Sequence, residues 1–400
     1  MFGLFVAYLD RTNVSVGLPG LSDELGFGRD SATASLVLTA FLIGYLVANV
    51  LGGFLSVNIS PKWTIVAMVA VFSASQLIAG WTHSVTLLVI LRVILGFGEG
   101  VYWPQQFRLA KAWFTDHEMT RACAVIEFYG QYLSLALGFF LLTPVYNHLG
   151  WRWLFWGTGA AGLLLVVPLY IVALKSTPRT TVVESIQPVH KREKLSLKAF
   201  GGPRFFLLVF SYFSNGLLFW GTTLFIPAIV KSLGFTGGAQ GLASAIPYLT
   251  AIALTIPVTI ISDRSLKRLP IAASGLYVSG LLLMALPFVS SPYGKLALIS
   301  LALAYYASCY VNNIWATVTS DFSNAVVGPA SGIINGFGAG GGGIVAGFVV
   351  GRLEASTGSF VPGFVVLGIT AIFGGLATLL YAKLRTSAGQ TGSPYLMVGS

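Results

Sequence analysis

The sequence predicts an all-α membrane protein of twelve transmembrane helices arranged as two six-helix bundles. Three observations predict it. The 400-residue chain is 55% hydrophobic and 9% charged, against about 25% charged in a soluble domain, so it cannot clothe a water-facing surface with charge. Its mean hydropathy is +0.81, and apolar runs of about 18 residues or more, each long enough to cross a bilayer core of about 30 Å, recur from end to end. The longest polar stretch, 175–203, leaves six runs on either side. A β-barrel needs alternating segments of about ten residues, whereas these runs are long and continuous.

Taken in order, the runs place helices at 2–21, 32–57, 62–81, 85–111, 119–147 and 152–174, then at 204–231, 239–262, 269–289, 294–320, 327–352 and 360–383. The first contains "VAYLDRTNVSV", an acid and a base inside an apolar stretch, and has no basic leader, which argues against a cleavable signal peptide. It starts at Met1, so a short preceding tail is expected to be missing. The second and eighth are followed by tight turns, "GGFLSVNISPK" (52–62) and "IPVTIISDRSLKR" (256–268), a faint echo between the halves. The fourth reads "LRVILGFGEGVYWPQQFRLAKAWF" and the sixth opens on "GWRWLFW". The eleventh carries "INGFGAGGGG". That run has no preceding strand and no lysine-serine ending, so it is no phosphate cradle; close helix packing or a bendable helix fits it. The resulting organisation is a first bundle over 1–174, a basic linker over 175–203, a second bundle over 204–384 and a tail over 385–400. Two such halves place a binding site at the midplane between them.

Orientation follows from the basic residues. With both termini cytoplasmic, the inner segments hold Lys62, Lys111, Arg121, Lys175, Arg179, Lys191, Arg192, Lys194, Lys198, Arg204, Arg264, Lys267, Arg268, Lys383 and Arg385, and the outer loops hold Arg29, Arg152, Lys231, Lys295 and Arg352. This is the positive-inside pattern, and the expected location is an inner (plasma) membrane with both termini cytoplasmic. It also accounts for the net charge of +10 without any nucleic-acid partner. Two cysteines, Cys123 and Cys309, and four scattered histidines give neither a disulfide framework nor metal-ligand spacing. No catalytic triad or ATPase motif is visible. The expectation is no enzyme, no metal and no cofactor.

Ionisable groups at membrane depth are costly and mark pathways or proton relays. Asp10, Glu99 and Glu127 are the carboxylates well inside the expected spans, with Arg11, Arg92 and Arg108 as intramembrane bases. Arg92 and Glu99 are two helical turns apart, about 10 Å along one face, and can bracket Asp10-Arg11 from the first helix. A four-residue network of two acids and two arginines is expected; a static ion-pair network that orients helices is the alternative. An arginine fork takes a carboxylate with two hydrogen bonds, and amides serve hydroxyl groups as donors and acceptors. Asn312, Asn313 and Asn335 offer such amides from the second half, and Tyr8, Tyr45, Trp220 and Trp315 an aromatic wall. Glu127 lies one turn before Gln131 and can pair with Arg108 as an inner gate.

"YLDRTN", "RVILGFGEGVYWP", "AWF" followed by Arg121, "GWRWLFW" and "INGFGAGGGG" resemble, in order, the anion:cation symporter family of the major facilitator superfamily. That family includes bacterial sugar-acid/proton symporters such as the galactonate transporter. The resemblance implies the major facilitator fold, a monomer, and proton-coupled uptake of an organic anion, a sugar acid such as an aldonate, aldarate or hexuronate. It implies that Arg11 binds the substrate carboxylate, that Asp10 and Glu99 carry protons, and that Arg92 balances Glu99. Tyr8, Tyr45, Gln131, Trp315 and Asn335 match positions that line the site, while Asn312 and Ile314 stand where the galactonate transporter has small hydroxyl residues. Asp263, Arg264, Lys267 and Arg268 resemble the superfamily's cytoplasmic gate motif, which the first copy (52–62) keeps without its aspartate. The expected mechanism has substrate and Asp10 competing for Arg11: two unit charges about 4 Å apart interact by roughly 4 kcal/mol at an effective dielectric of 20, and a buried carboxyl freed of its partner favours its protonated form. The alternatives are a sodium-coupled or facilitative carrier or exporter of aromatic or small carboxylic acids, and a non-transporting sensor, against which the lack of a soluble signalling domain argues.

Overall fold

The computed structural model describes residues 1–28, 32–55, 59–175, 199–323 and 325–391. Most of the expected linker lies outside them. Among the described residues the chain forms twelve helical rods: α1 (Phe2–Leu25), α2 (Ala32–Leu55), α3 (Pro61–Ala79), α4 (Val85–Trp113), α5 (119–149), α6 (Trp151–Ala173), α7 (Gly202–Thr223), α8 (Gly237–Ser265), α9 (Arg268–Phe288), α10 (Pro292–Asp321), α11 (Val327–Thr357) and α12 (Val361–Thr391). In lipid every backbone N–H and C=O must be paired within the segment, and helices achieve this. Ten rods are apolar and long enough to span a bilayer, and α5 qualifies as a bent pair. The remaining rod is α1, which carries Asp10, Arg11, Asp23 and Glu24; its place in the bundle, more than its hydropathy, holds it there.

The element boundaries depart from expectation in three places. The seventh run breaks after Thr223 and resumes as a short helix, Ile226–Ser232. Pro227 sits at its start, where a missing N–H is tolerated, and could not have continued α7. The helices α1 and α11 run past the apolar stretch until Gly26 and Gly358 end them in the left-handed region, φ 73° and 67°, which glycine enters without a Cβ penalty. The last helix continues to Thr391, beyond the expected boundary at 384.

Within the first half α2 and α3 pack on α4, α1 on α5, and α6 on α3 and α1; within the second, α12 packs on α9 and α7, and α10 on α8 and α9. The halves meet along α2 against α11 and α5 against α8. Glycines set these distances. A β-carbon on Gly216 of α7 would overlap the Gly338 carbonyl of α11, and one on Gly332 of α11 would overlap the Asn49 carbonyl of α2. The glycine run of α11 is therefore a packing surface pressed between α7 and α2. Side chains such as Phe140, Leu164, Val172, Phe288 and Phe348 stay exposed on the outside, where hydrocarbon replaces water as their neighbour. Single π-helical turns interrupt α5, α6, α10 and α11. Such turns re-aim the side chains beside them, and those of α10 and α11 flank the cavity between the halves.

Candidate functional site

Adjacent residues on a helix point about 100° apart, and this separates Asp10 from Arg11. Arg11 turns towards the second half. Its Nε donates to Glu99 Oε2 at 3.0 Å, and its Nη2 donates to the same oxygen. Its guanidinium lies 4.1 Å from the Tyr8 ring centre, 4.9 Å from Phe41 and 5.2 Å from both Tyr45 and Trp220. Aromatic faces attract a cation more strongly when it is desolvated, so this box holds Arg11 charged and away from water. Asp10 turns instead into the first bundle. Its backbone carbonyl accepts from Arg92 Nη1 at 3.3 Å, and its carboxyl faces the Thr158 hydroxyl of α6 without a hydrogen bond of normal geometry.

The four charged residues do meet in one layer, but their pairing differs from expectation. The partner of Arg11 is Glu99, not Asp10, and Arg92 reaches the backbone of α1. The reason is azimuthal: neighbours in sequence cannot face one partner across a helix, whereas Glu99 comes in from α4 at the height of Arg11.

Beside Arg11 lies a small cavity between the halves, about 20 Å³, with room for about one water. Tyr8, Tyr45, Gln131, Trp220 and Asn335 line it, together with Trp103, Tyr132, Tyr212, Asn215, Phe219 and Tyr306. Asn335 Nδ2 donates to the Tyr45 hydroxyl at 2.6 Å and to Asn49 Oδ1 at 2.9 Å, and the hydroxyls of Tyr132 and Tyr306 are 2.7 Å apart. All three contacts cross between halves. Trp103 Nε1, Trp220 Nε1, Asn215 Oδ1 and Asn335 Oδ1 have no protein partner, so two donors and two acceptors remain for a guest.

Three sequence-selected residues do not line the cavity. Trp315 backs it, stacked 4.3 Å from Phe107 and donating to the Tyr212 hydroxyl at 2.9 Å. Asn312 is fully buried with both amide atoms unpartnered. Asn313 is committed to the Cys309 carbonyl and to Ser262 of α8; one residue further along α10, it faces its own half. A second small cavity, about 30 Å³, lies above Arg11 towards the end away from the termini, walled by Ser15, Leu38, Thr223 and Leu224.

The end that carries the termini is latched. Asp263 of α8 accepts from the backbone N–H groups of Thr120 and Arg121 at 3.1 and 3.2 Å, and from Arg121 Nε at 2.9 Å. A carboxylate thus caps the N-terminus of α5 across the boundary between halves, where the helix dipole favours negative charge. Arg268 donates to Thr120 Oγ1 and Ser320 Oγ and to the Asp116 carbonyl, and Lys111 Nζ donates to the Phe322 carbonyl at 2.7 Å. Arg264, expected in this gate, is exposed and takes no part; Arg268 fills the role, because the chain turns at Leu266 and Arg268 opens α9 facing inward. Arg108 donates to the Ile59 carbonyl at 3.1 Å, at the turn between α2 and α3. The side chain of Glu127, its expected partner, lies outside the described residues. At the opposite end Glu24 holds Trp151 and Arg152 at 2.8 and 2.5 Å, a clasp within the first half.

With this geometry in hand, comparison with known proteins is informative. The family model described as Major Facilitator Superfamily matches residues 1–346 and, again, 208–395. The chain belongs to the Major Facilitator Superfamily. The "Probable sulfoacetate transporter SauU" of Cupriavidus necator is 28% identical over 96% of this chain and 92% of its own length. The D-galactonate transporter of Escherichia coli is 26% identical, covering 94% and 92%, and the hexuronate transporter of Bacillus subtilis 24%, covering 94% and 92%. Among solved structures the proton:xylose symporter XylE bound to 6-bromo-6-deoxy-D-glucose superposes with a TM-score of 0.80 at 17% identity, covering 96% of this chain and 93% of XylE; that likeness concerns the fold. The protein is thus an integral membrane transporter of the major facilitator kind.

Sequence reading missed Trp103, Tyr132, Tyr212, Asn215, Phe219 and Tyr306 in this major facilitator site. Asn215 had a usable signal, an amide inside the apolar run "FSNGLLFW". The aromatics had none, because Trp and Tyr in membrane proteins serve equally as interface anchors.

Proposed function

We propose that the protein couples inward proton movement to uptake of a small organic anion, a sugar acid by preference, by alternating access about the central cavity. Arg11 carries this reading. It is a buried guanidinium at the boundary between halves, held by a single acid from its own half, Glu99. An entering carboxylate competes with Glu99 for the arginine fork. Separating that pair costs several kcal/mol at membrane depth, and the released carboxylate is uncompensated unless it takes a proton. Anion binding at Arg11 and protonation at Glu99 therefore favour each other, and the loaded site crosses with its charges balanced. Asp10, fully buried in the first bundle, is a second proton seat, and Arg92 screens it. Unlike the sequence-based scheme, Glu99 and not Asp10 is the group the substrate displaces.

Sugar acids are favoured because the cavity offers hydroxyl partners beside one cation, and because relatives named for D-galactonate and hexuronate match over 94% of this chain. With both termini cytoplasmic, as the basic residues require, the latch at Asp263 closes the inner side. The cavity above Arg11 then marks the path from outside, and rocking of the halves breaks the latch to release cargo inwards.

The test is transport in proteoliposomes under an imposed pH gradient, with D-galactonate and a hexuronate as first probes. Glu99→Gln and Asp10→Asn are expected to exchange anion across the membrane without accumulating it. Gradient-driven accumulation that survives both substitutions would refute the proton roles.

A further inference from the structure

Beneath the surface of the first bundle, on the side of α1 away from the cavity, four helices meet in one polar layer. Three bonds fix its level: Asn13 Nδ2 donates to Thr158 Oγ1 at 2.9 Å, Arg92 Nη1 to the Asp10 carbonyl at 3.3 Å, and Ser75 Oγ to the Leu91 carbonyl at 2.6 Å. Gly159 of α6 packs between Ser73 and Leu77. Ser73 of α3 meets Gly162 of α6 beside Val6 of α1, so Gln76, one turn above Ser73, falls at the level of Asp10, one turn above Val6; Gln76 is 1% exposed, and neither its Nε2 nor its Oε1 has a partner. An unpaired amide at such depth costs a few kcal/mol, and its retention calls for a use.

An inventory of the layer narrows that use. The Asp10 carboxyl faces the Thr158 hydroxyl, yet neither of its oxygens has a hydrogen bond of normal geometry. Its ionised form needs donors and its protonated form needs an acceptor. The Thr158 hydroxyl faces the Asp10 carboxyl but already donates to the Leu154 carbonyl at 3.0 Å, and the Asn13 amide nitrogen is held on Thr158, so neither can follow the carboxyl through both of its states. Arg92 Nε is uncommitted but offers no acceptor, and Asn13 Oδ1 is an uncommitted acceptor on an amide pinned at its nitrogen by Thr158. Gln76 brings an uncommitted donor and an uncommitted acceptor together. The charged groups acting on Asp10 are Glu99 and Arg92 from α4 and Arg11 from its own helix. At this level α3 and α6 present neutral groups, and so does α5, which meets α1 where Gly138 packs on Thr12.

We propose that Gln76 is the positioning residue that sets the proton affinity of Asp10, donating from Nε2 to the carboxylate and accepting at Oε1 from the carboxyl O–H, directly or through one bridging water. Rotation of the amide serves either state without moving a helix, so the proton is taken up and released inside the first bundle, apart from the substrate cavity. The inference rests on the proton-coupling reading of Asp10. Hydrogen bonds to the charged form are roughly twice as strong as those to the neutral form. Losing the amide therefore penalises the carboxylate more, and the midpoint for protonation rises.

The experiment is an infrared pH titration of the full chain in lipid vesicles, with protons as the probe and Asp10→Asn identifying the Asp10 carboxyl band. Gln76→Met keeps the volume and removes the amide. It is expected to raise the midpoint of that band by about one to two pH units, a tenfold to hundredfold gain in proton affinity, and to move the band to the frequency of a free carboxyl. The wild-type chain carrying carbon-13 glutamine gives a check that needs no Gln76 variant: a glutamine side-chain band should appear in the pH difference spectrum and vanish in Asp10→Asn. An unchanged midpoint in Gln76→Met, or a missing glutamine band, overturns the proposal while leaving Asp10 as a proton carrier. If the Asp10 band does not titrate between about pH 4 and 10, the proton role of Asp10 falls as well.

Discussion

Asp263→Asn should tip the carrier from closed to open at the end that bears the termini. The carboxylate holds two backbone N–H groups at the start of α5 at 3.1 and 3.2 Å. Bonds to a charged acceptor contribute about 1.5–3 kcal/mol, and a charge at a helix N-terminus adds about 0.3–1 kcal/mol. The Arg121 ion pair adds little, because that side chain is 54% exposed and such pairs contribute about 0–1 kcal/mol. Asparagine keeps one acceptor oxygen and sets an NH₂ against an N–H, so roughly 2 kcal/mol is lost from the closed form alone, a factor of about 30. A population of about 99:1 would fall to about 3:1. Spin labels at positions 117 and 267, both exposed, report the separation across the latch by pulsed electron resonance; the native Cys123 and Cys309 are buried. The expected result is a second, longer distance. Arg264→Gln is the control, because Arg264 stands outside the latch. If Asp263→Asn shifts the distribution no more than this control does, the latch does not hold the closed state and the estimate is wrong at its root.

Other outcomes follow from the same contacts. Arg11→Lys keeps the charge but loses the fork, and anion affinity by thermal shift or calorimetry should fall at least tenfold, about 1.4 kcal/mol; undiminished affinity would remove carboxylate recognition from Arg11. Gly216→Val places a side chain against the Gly338 carbonyl and should lower the melting temperature by several degrees, since overpacking costs about 1–3 kcal/mol; a wild-type melting curve would mean α7 and α11 do not pack as described. Asn335→Leu strands the Tyr45 hydroxyl and Asn49 Oδ1, which Asn335 now satisfies across the halves, and should weaken anion exchange more than it weakens folding. Equal loss of both in exchange and melting assays would make Asn335 a structural tie.

Much of this protein was legible residue by residue. The order of the helices and the limits of most of them follow from local hydropathy, α1 with its four charges excepted, because each helix in lipid must satisfy its own backbone regardless of its neighbours. The concentration of buried charge at Asp10, Arg11, Arg92 and Glu99 is legible for the same reason: a charge inside an apolar run is costly wherever the run goes. Even the glycines of α11 announce a packing surface before any partner is known.

Tertiary structure alone decided who meets whom. Asp10 and Arg11 are one residue apart in the chain, yet they face different halves of the bundle, because a helix rotates about 100° per residue and the neighbours of each face come from distant parts of the chain. The same rotation put Asn313 against α8 and turned Trp103, Tyr132, Tyr212 and Tyr306 from apparent core or interface aromatics into the walls of a cavity, while the turn at Leu266 brought Arg268 of α9 into the latch in place of Arg264. Depth in the membrane is a one-dimensional property, and the sequence carries it. Azimuth is set by the packing of two halves that the chain order does not reveal, and the chemistry of the site depends on azimuth.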